Sequence, residues 1–223
     1  MHFEILVEDA SGKQLLEILV PKILKGAHTF KVRFYKGIGR LPKGLTPGSE
    51  PCKRILLDQL PRLLQGFGQT FAAYPTSYEA VVFVICDLDD RCLKTFRSEL
   101  LAVLDKCNPA PTTRFCIAIE EGEAWLLGDL AAVRRAFPHA KGSVLSDYVS
   151  DAICGTWERL ADAVCSGGAE KLRTSGWMSV GKEKSAWASL IGPQMDVHAN
   201  NSPSFCYFRN KLQELAEAST ASI

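Results

Sequence analysis

Short apolar segments with the length of strands recur along the first 128 residues and alternate with segments of helical periodicity. Residues 3–7 predict one strand, and residues 80–86 predict another that is apolar on both faces, as in a central parallel strand covered by helices. Residues 29–35 alternate apolar and polar side chains, the pattern of a strand with one solvated face. Residues 114–119 predict a fourth, buried strand.

Helical patterns fill the intervals between these strands. Ser11 and Gln14 have the spacing of a capping box, which predicts a helix start, and Pro21 is expected to kink or end that helix. Residues 56–64 and 91–104 also place their apolar side chains on one helical face. Strands joined through helices in this way favour a parallel sheet.

After Gly128 the alternation of strands and helices stops, and apolar residues recur only at helical spacing. Ser202 with Pro203 predicts the start of a final helix. We therefore predict an α/β fold: a mostly parallel four-stranded sheet flanked by helices, with a C-terminal helical extension. The predicted domains are residues 1–128, built on the sheet, and residues 129–223, a helical extension packed on that sheet.

Charge and composition narrow the class of protein. The 223 residues contain 26 lysines and arginines against 25 acidic residues, a net charge of +1, so a nucleic-acid partner would need a local basic patch. No apolar run approaches the roughly 20 residues that span a bilayer, and the N-terminus lacks the pattern of a signal peptide. We therefore expect a cytoplasmic protein with no membrane partner.

A loop rich in glycine and proline carries an excess of basic side chains between residues 36 and 54, with Glu50 as its one acidic residue. Such a loop can contact a phosphate backbone without reading its sequence. A solvated surface loop without a ligand is an equally good interpretation. The candidates for nucleic-acid contact are Lys36, Arg40 and Lys43.

Acidic residues follow three of the four predicted strands at the point where each strand ends. Glu8 follows the first strand, Asp87 and Asp89 follow the third, and Glu121 and Glu123 follow the fourth. Because the carboxyl ends of parallel strands lie along one edge of a sheet, we expect these side chains to meet there. Two carboxylates 4 Å apart repel each other by about 4 kcal/mol at an effective dielectric constant near 20.

A divalent cation between the carboxylates would remove that repulsion, and oxygen ligands favour Mg²⁺ or Mn²⁺. The alternative is that Asp89 or Asp90 caps the following helix and that the glutamates are solvated turn residues. Three coincident strand ends favour the metal site. The candidate metal ligands are Glu8, Asp87, Asp89, Glu121 and Glu123.

Two of these segments resemble a known family. Val7-Glu8-Asp9 before a helix, together with Asp87-Leu88-Asp89 after an apolar strand, resembles the Toprim fold of topoisomerases, primases and overcoming-lysogenization-defect (OLD) type nucleases. In that family a glutamate after the first strand and a D-x-D motif after a later strand hold Mg²⁺ for phosphodiester chemistry. The resemblance assigns that role to Glu8, Asp87 and Asp89, and it makes the expected sheet Toprim-like.

A narrower resemblance covers most of the chain. The segment 121–129, Lys182-x-Lys184 and the segment 202–205 are similar to an uncharacterised Toprim-like branch found beside OLD-type and AAA ATPases in bacterial genomes. This chain departs from the wider family at Asp9, where a glycine is common, and at Gly122, where an apolar residue is usual. The resemblance implies an ATPase partner of the AAA or ABC type and a role in antiphage defence.

These observations predict a Mg²⁺-dependent nuclease. Asp87 and Asp89 would bind the metal, and Glu8 would complete the site or act as general base. Glu121 or Glu123 could hold a second ion. If the extension folds back over the sheet edge, a lysine of the pair Lys182 and Lys184, with Lys182 as the candidate, could neutralise charge on a phosphate oxygen. The alternative is an exposed lysine pair at the start of a helix.

Three further matters stay open in this interpretation. The substrate is DNA or RNA, and a homo-oligomer is compatible with the sequence. The principal alternative is a catalytically inactive Toprim-like module that binds and regulates an ATPase partner. A phosphatase of small phosphoesters is a weaker third hypothesis.

Overall fold

The computed structural model describes residues 1–42, 54–152 and 154–221. Its centre is a four-stranded parallel sheet in the order β2-β1-β3-β4, which confirms the predicted fold class. The strand bounds agree with the predicted bounds to within about one residue. The strands are β1 (His2–Val7), β2 (Thr29–Phe34), β3 (Ala80–Asp87) and β4 (Thr113–Ala118).

Helices connect the strands and make up most of the chain after β4. Three of them lie between strands: α1 (Ala10–Ile23), α2 (Leu56–Ala72) and α3 (Leu93–Leu104). The described helices after β4 are α4 (Glu123–Leu127), α5 (Leu130–Ala136), α6 (Gly142–Ser146), α7 (Thr156–Val164), α8 (Gly168–Thr174), α9 (Trp177–Ile191), a 3₁₀ helix (Gly192–Gln194) and α10 (Pro203–Ala221).

Both faces of the sheet are buried, as the doubly apolar pattern of β3 predicts. Ile5 and Phe83 belong to a hydrophobic cluster with α1 and α10, whereas Leu6 and Val84 belong to a second cluster with α2 and α3. The chain runs from β1 to β2 on one side of β1, and β3 then adds on the other side. The topological switch point of the sheet, where α/β folds bind ligands, therefore lies between β1 and β3.

The prolines inside α1 and α2 do not set the ends of these helices. Pro21 lies in the last turn of α1, which continues for two residues to Ile23. Pro61 lies near the start of α2, and that helix extends to Ala72, well past the predicted end at residue 64. A proline removes one hydrogen bond from a helix, and the apolar face of α2 is buried against the sheet despite that loss.

The helices after β4 pack against the same face of the sheet as α1. The ring of Trp125 on α4 stacks on Phe208 of α10 at a centroid distance of 5.2 Å, and Phe208 contacts Phe83 of β3 edge-on at 5.9 Å. One hydrophobic cluster therefore joins both parts of the chain. The division into domains after Gly128 stays a prediction. Among the described residues, no helix combines the length and apolar character needed to cross a membrane.

Gly128 offers a test of how closely α4 and α10 pack. A Cβ atom there would lie 2.1 Å from Oδ1 of Asn200. Asn200 cannot move away freely, because its Nδ2 donates to the Trp125 carbonyl and its Oδ1 accepts from the Ser202 amide. We expect Gly128→Ala to lower the free energy of unfolding by about 1–3 kcal/mol, as overpacking does, measured by urea denaturation.

Gly181→Ala is the matched control, since Gly181 lies within α9 and a Cβ atom there meets nothing within 4 Å. We expect this variant to be neutral or up to about 1 kcal/mol more stable, because alanine favours helix. Equal stability of the two variants would contradict the close packing at Gly128.

Candidate functional site

Glu8 and Asp87 meet at the carboxyl edge of the sheet, at its switch point. Strands β1 and β3 are hydrogen-bonded neighbours with Val7 opposite Ile85, so the residues that follow lie side by side. The amide of Asp87 donates to Oε2 of Glu8 at 3.2 Å. The first strand therefore adjoins the third, which brings together carboxylates that are 79 residues apart.

Glu121 and Glu123 reach the same edge after β4, and a lysine lies between them. Nζ of Lys184 is 2.9 Å from Oε2 of Glu123 and 3.4 Å from Oε1 of Glu121. The side chain of Lys184 is 15% exposed and that of Glu123 is 6% exposed. A cavity of about 40 Å³ is lined by Glu8, Asp87, Glu123 and Lys184. We call Glu8, Asp87, Glu121, Glu123 and Lys184 the edge cluster.

Helix α9 presents Lys184 to the cluster, and not Lys182. The buried face of α9 contains Val180, Trp187 and Ala188, and Lys184 lies on the same stripe of the helix. Lys182 is exposed, and the contacts of the described residues do not join it to the acidic side chains. A side-chain hydrogen bond from Nε2 of Gln14 to Oγ of Ser189, 2.5 Å long, helps to fix α9 on α1. Gln14 therefore contacts another helix instead of closing a capping box.

The segment from Glu121 to Asp129 is anchored at two residues that follow its two glutamates, Trp125 and Asp129. Nε1 of Trp125 donates to Oγ of Ser204 at 2.9 Å, which ties α4 to the start of α10. The carboxylate of Asp129 accepts from the amides of Ala132 and Asp196, so it caps α5 and fixes the chain that leads to α10. The segment 121–129 thus combines site residues with the residues that position them.

Two other acidic residues at the edge are helix caps. The carboxylate of Asp9 accepts from the Gly12 amide at 2.7 Å and from Oγ of Ser11, so Asp9 caps α1 and accounts for the negative charge next to Glu8. Glu120 accepts from the amides of Gly155 and Thr156 at the start of α7. The capping alternative named Asp89 or Asp90 instead, and neither of them is the N-cap of α3, because that helix begins only after Cys92.

Asp89 lies at the rim of the site, beyond the end of strand β3. The strand ends at Asp87, and Asp89 has φ +52°, a left-handed backbone conformation in place of the extended one of the strand. Its side chain is 43% exposed and lies 3.7 Å from Arg91. Burial and the charge of Asp90 raise the pKa of Asp89, and the Arg91 guanidinium opposes that rise.

Burial dominates the electrostatics of the edge cluster. It raises the pKa of Glu8 to about 7, and the charges of Asp9 and Asp89 add to the effect of burial while the Asp87 amide opposes it. It raises the pKa of Glu121 to about 7 against the attraction of Lys184, and it also raises the pKa of Asp87 and Glu123. Burial alone would lower the pKa of Lys184, but Glu123, Glu121 and Asp87 outweigh burial and raise it.

The donor set fits a partly hydrated Mg²⁺ better than a cage made of protein atoms alone. No group of three or more histidine, cysteine, aspartate or glutamate side chains is arranged as a metal site within the described part of the chain. Mg²⁺ is commonly held by one or two carboxylates plus waters and phosphate oxygens, and Glu8 and Asp87 provide such a pair. The buried Oε2 of Glu121 also lacks a hydrogen-bond partner among the described residues. One water molecule needs a cavity of roughly 10–15 Å³. The cavity of about 40 Å³ beside Glu8 and Asp87 is therefore large enough for an ion with few waters.

The candidate basic loop starts at this same edge. The amide of Gly37 donates to the backbone carbonyl of Glu8 at 2.9 Å, which places the residues after β2 beside the cluster. Lys36 and Arg40 are exposed. Lys43 lies outside the described residues. The role of these side chains in nucleic-acid contact stays a prediction.

Comparison of the chain with protein-family models, with curated proteins and with solved structures finds no match. The site therefore has to be interpreted from its own geometry. The sequence indicated the acidic residues of the cluster but favoured Lys182 over Lys184, and the signal that could have distinguished them is the helical stripe shared by Lys184, Val180 and Trp187.

Removal of the Lys184 charge tests whether the ammonium group balances the carboxylates. Lys184→Met would leave buried Glu121 and Glu123 without a counter-charge, and breaking a buried pair in this way costs about 3 kcal/mol or more. We expect a loss of that size in the free energy of unfolding at pH 8. We expect a smaller loss at pH 5, which lies below the Glu121 pKa of about 7, because a protonated Glu121 needs no counter-charge. Lys182→Met is the matched control and should change stability little, so equal losses for the two variants would contradict this assignment.

The raised pKa of Glu8 predicts a pH dependence of stability. Its pKa of about 7 in the folded state exceeds the ordinary value of 4.5. The protonated carboxyl therefore contributes fully to the free energy of unfolding below pH 4.5, and this contribution is lost as the pH rises through 7. At about 1.4 kcal/mol per pKa unit, the contribution is up to about 3 kcal/mol. The test compares the free energies of unfolding of wild type and Glu8→Gln in chelator-treated protein. We expect Glu8→Gln to become more stable relative to wild type as the pH rises from 5 to 8. A difference that does not vary with pH would contradict the shifted pKa.

Proposed function

We propose that this chain is a Mg²⁺-dependent phosphodiesterase that hydrolyses nucleic acid. The observation that carries the proposal is the convergence of Glu8, Asp87, Glu121 and Glu123 with Lys184 at the switch point of a parallel sheet. Ligands bind at that point in open α/β sheets. Carboxylates beside a fixed cation are suited to a metal-bound phosphate, whose charge needs positive groups on more than one side.

Within the cluster, each side chain has a role in the proposed reaction. Glu8 and Asp87 would hold the ion, and a bound Mg²⁺ would supply Lewis-acid stabilisation of a phosphate oxygen. Alternatively, Asp87 would hold the ion without Glu8, and Glu8, whose pKa is about 7, would act as the general base that takes a proton from the attacking water near neutral pH. Lys184 would favour the ionised forms of Glu121 and Glu123 against burial and add positive charge beside the reacting phosphate. Asp89, at the rim, would contribute less than Asp87.

The finer parts of the proposal rest on the resemblance of the sequence alone. They are membership of the Toprim superfamily, an ATPase partner of the AAA or ABC type, and a role in bacterial antiphage defence. The choice between DNA and RNA belongs to the experiment below, which includes both.

One observation favours the second candidate, an inactive module that binds and regulates an ATPase. Lys184 already neutralises part of the acidic charge, so Glu121 and Glu123 have a counter-ion without any metal. A module of this kind would keep the lysine and the glutamates for stability and would take up no divalent ion. Metal uptake by the isolated protein therefore separates the two candidates.

The nuclease proposal predicts metal-dependent cleavage that requires Glu8 and Asp87. With Mg²⁺ or Mn²⁺ present, we expect cleavage of at least one of plasmid DNA, single-stranded DNA and RNA. We expect Glu8→Gln and Asp87→Asn to reduce the rate by about 100-fold or more, the usual scale for loss of a group that stabilises charge in the transition state. Glu99→Gln, on the exposed side of α3, is the control and should retain the wild-type rate.

Calorimetric titration with Mn²⁺ provides a readout that does not depend on the substrate. We expect wild type to bind Mn²⁺ and Asp87→Asn to bind it at least tenfold more weakly. Equal cleavage by all the variants would rule out the assigned site, and absence of Mn²⁺ uptake by wild type would rule out the nuclease in favour of the inactive module.

A further inference from the structure

A large apolar groove runs along the outer side of the sheet, away from the edge cluster. It has a volume of about 770 Å³ and lies between α3 and α10 beside strand β4. Phe115 and Ile117 of β4 form its floor, and Leu101 of α3 and Tyr207 of α10 line its walls. Leu101 is 40% exposed and Tyr207 is 37% exposed, so large apolar side chains face the groove without being buried by the described residues.

The floor of the groove is an open edge of the sheet. Strand β4 is the last in the order β2-β1-β3-β4. The carbonyls of Thr112 and Ala118 accept hydrogen bonds from backbone amides of β3 and of the residues just after it. In a parallel ladder, the backbone groups of alternate residues face the same neighbouring strand. The amides and carbonyls of Phe115 and Ile117 therefore point outward, and no described residue outside β4 makes a backbone hydrogen bond to them. Such a row of backbone groups can accept another strand.

Helix α3 adds a second apolar stripe and two free cations to the wall of this groove. Leu93, Arg97 and Leu101 are spaced four residues apart and line the groove, while the face that contains Phe96 packs on the sheet. Lys94 also lines it. Lys94 and Arg97 are exposed, and neither forms an ion pair with another described residue. On the opposite wall, the carboxylate of Asp151 is already bonded to Ser202 and Ser204.

We propose that this groove binds an extended, acidic segment of a partner protein, which adds as a fifth strand along β4. The segment would have an apolar centre that packs against Leu93, Leu101 and Tyr207, and its acidic side chains would pair with Lys94 and Arg97. Backbone hydrogen bonds give affinity in this mode of recognition, and side-chain pockets give specificity. The proposal does not depend on the metal-site proposal, because the groove and the edge cluster share no lining residue.

The charge of the groove favours such a segment over a second copy of this chain. In a dimer, β4 of one copy would pair with β4 of the other in an antiparallel way, and the two copies would be related by a two-fold axis perpendicular to the sheet. This symmetry would place both α3 helices on the same face of the joined sheet. Lys94 and Arg97 of each copy would then approach one another, and like charges across an interface disfavour association. An acidic strand removes that repulsion.

A designed peptide tests the groove without knowledge of the natural partner. The probe is a fluorescent, end-blocked heptapeptide of the sequence Glu-Glu-Val-Ile-Val-Glu-Glu, titrated with the full chain by fluorescence anisotropy. We expect binding that weakens at least tenfold when lysines replace the four glutamates. Arg97→Glu should weaken binding of the acidic peptide and strengthen binding of the lysine peptide, a reversal that a fold defect would not produce. Leu190→Gln, at an exposed leucine of α9, is the control and should bind like wild type.

N-methylation of the peptide identifies strand addition. Methyl groups on the amides that face β4 should abolish binding, while methyl groups on the alternate amides should be tolerated, because only one set of amides faces the neighbouring strand. Equal binding of the acidic and lysine peptides, or equal effects of both methylation patterns, would overturn the proposal. Micromolar dimerisation in sedimentation experiments that Leu101→Gln abolishes would assign the groove to a second copy instead.

Discussion

One buried ammonium group, that of Lys184, is the interaction on which the carboxyl edge of this sheet depends. Glu8, Asp87, Glu121 and Glu123 come from three strand ends, and burial opposes the ionisation of each. Burial favours the protonated form of each of these acids, and the charge of Lys184 opposes that effect. The lysine therefore sets how far the buried edge can be ionised.

The strand pattern was predictable because β1, β3 and β4 contribute side chains that are buried on both faces, and only a sheet covered by helices accommodates such runs. The gathering of acidic residues at one edge follows from the rule that parallel strands share a carboxyl edge. The sequence pattern does not determine the strand order, so the adjacency of β1 and β3, on which the contact of Glu8 with Asp87 depends, comes from the structure.

Other features of the site were beyond such reasoning because they depend on local backbone geometry or on distant packing. Asp9 competes with Ser11 as the cap of α1, and the first hydrogen-bonded turn decides between them. The turn of Asp89 away from the strand is a choice of φ that no side-chain period encodes. Which lysine of α9 faces the glutamates depends on how that helix rests on α1, and the contact that helps to fix it joins residues 175 positions apart in sequence.

The distance of Lys184 along the chain has a consequence for biosynthesis. All four strands and all the carboxylates of the edge precede it, so the sheet leaves the ribosome before its counter-charge does. Until α9 docks, burial of these acids favours their protonated forms, because their counter-charge is absent. The ionised form of the edge is therefore favoured only once the late helix is in place.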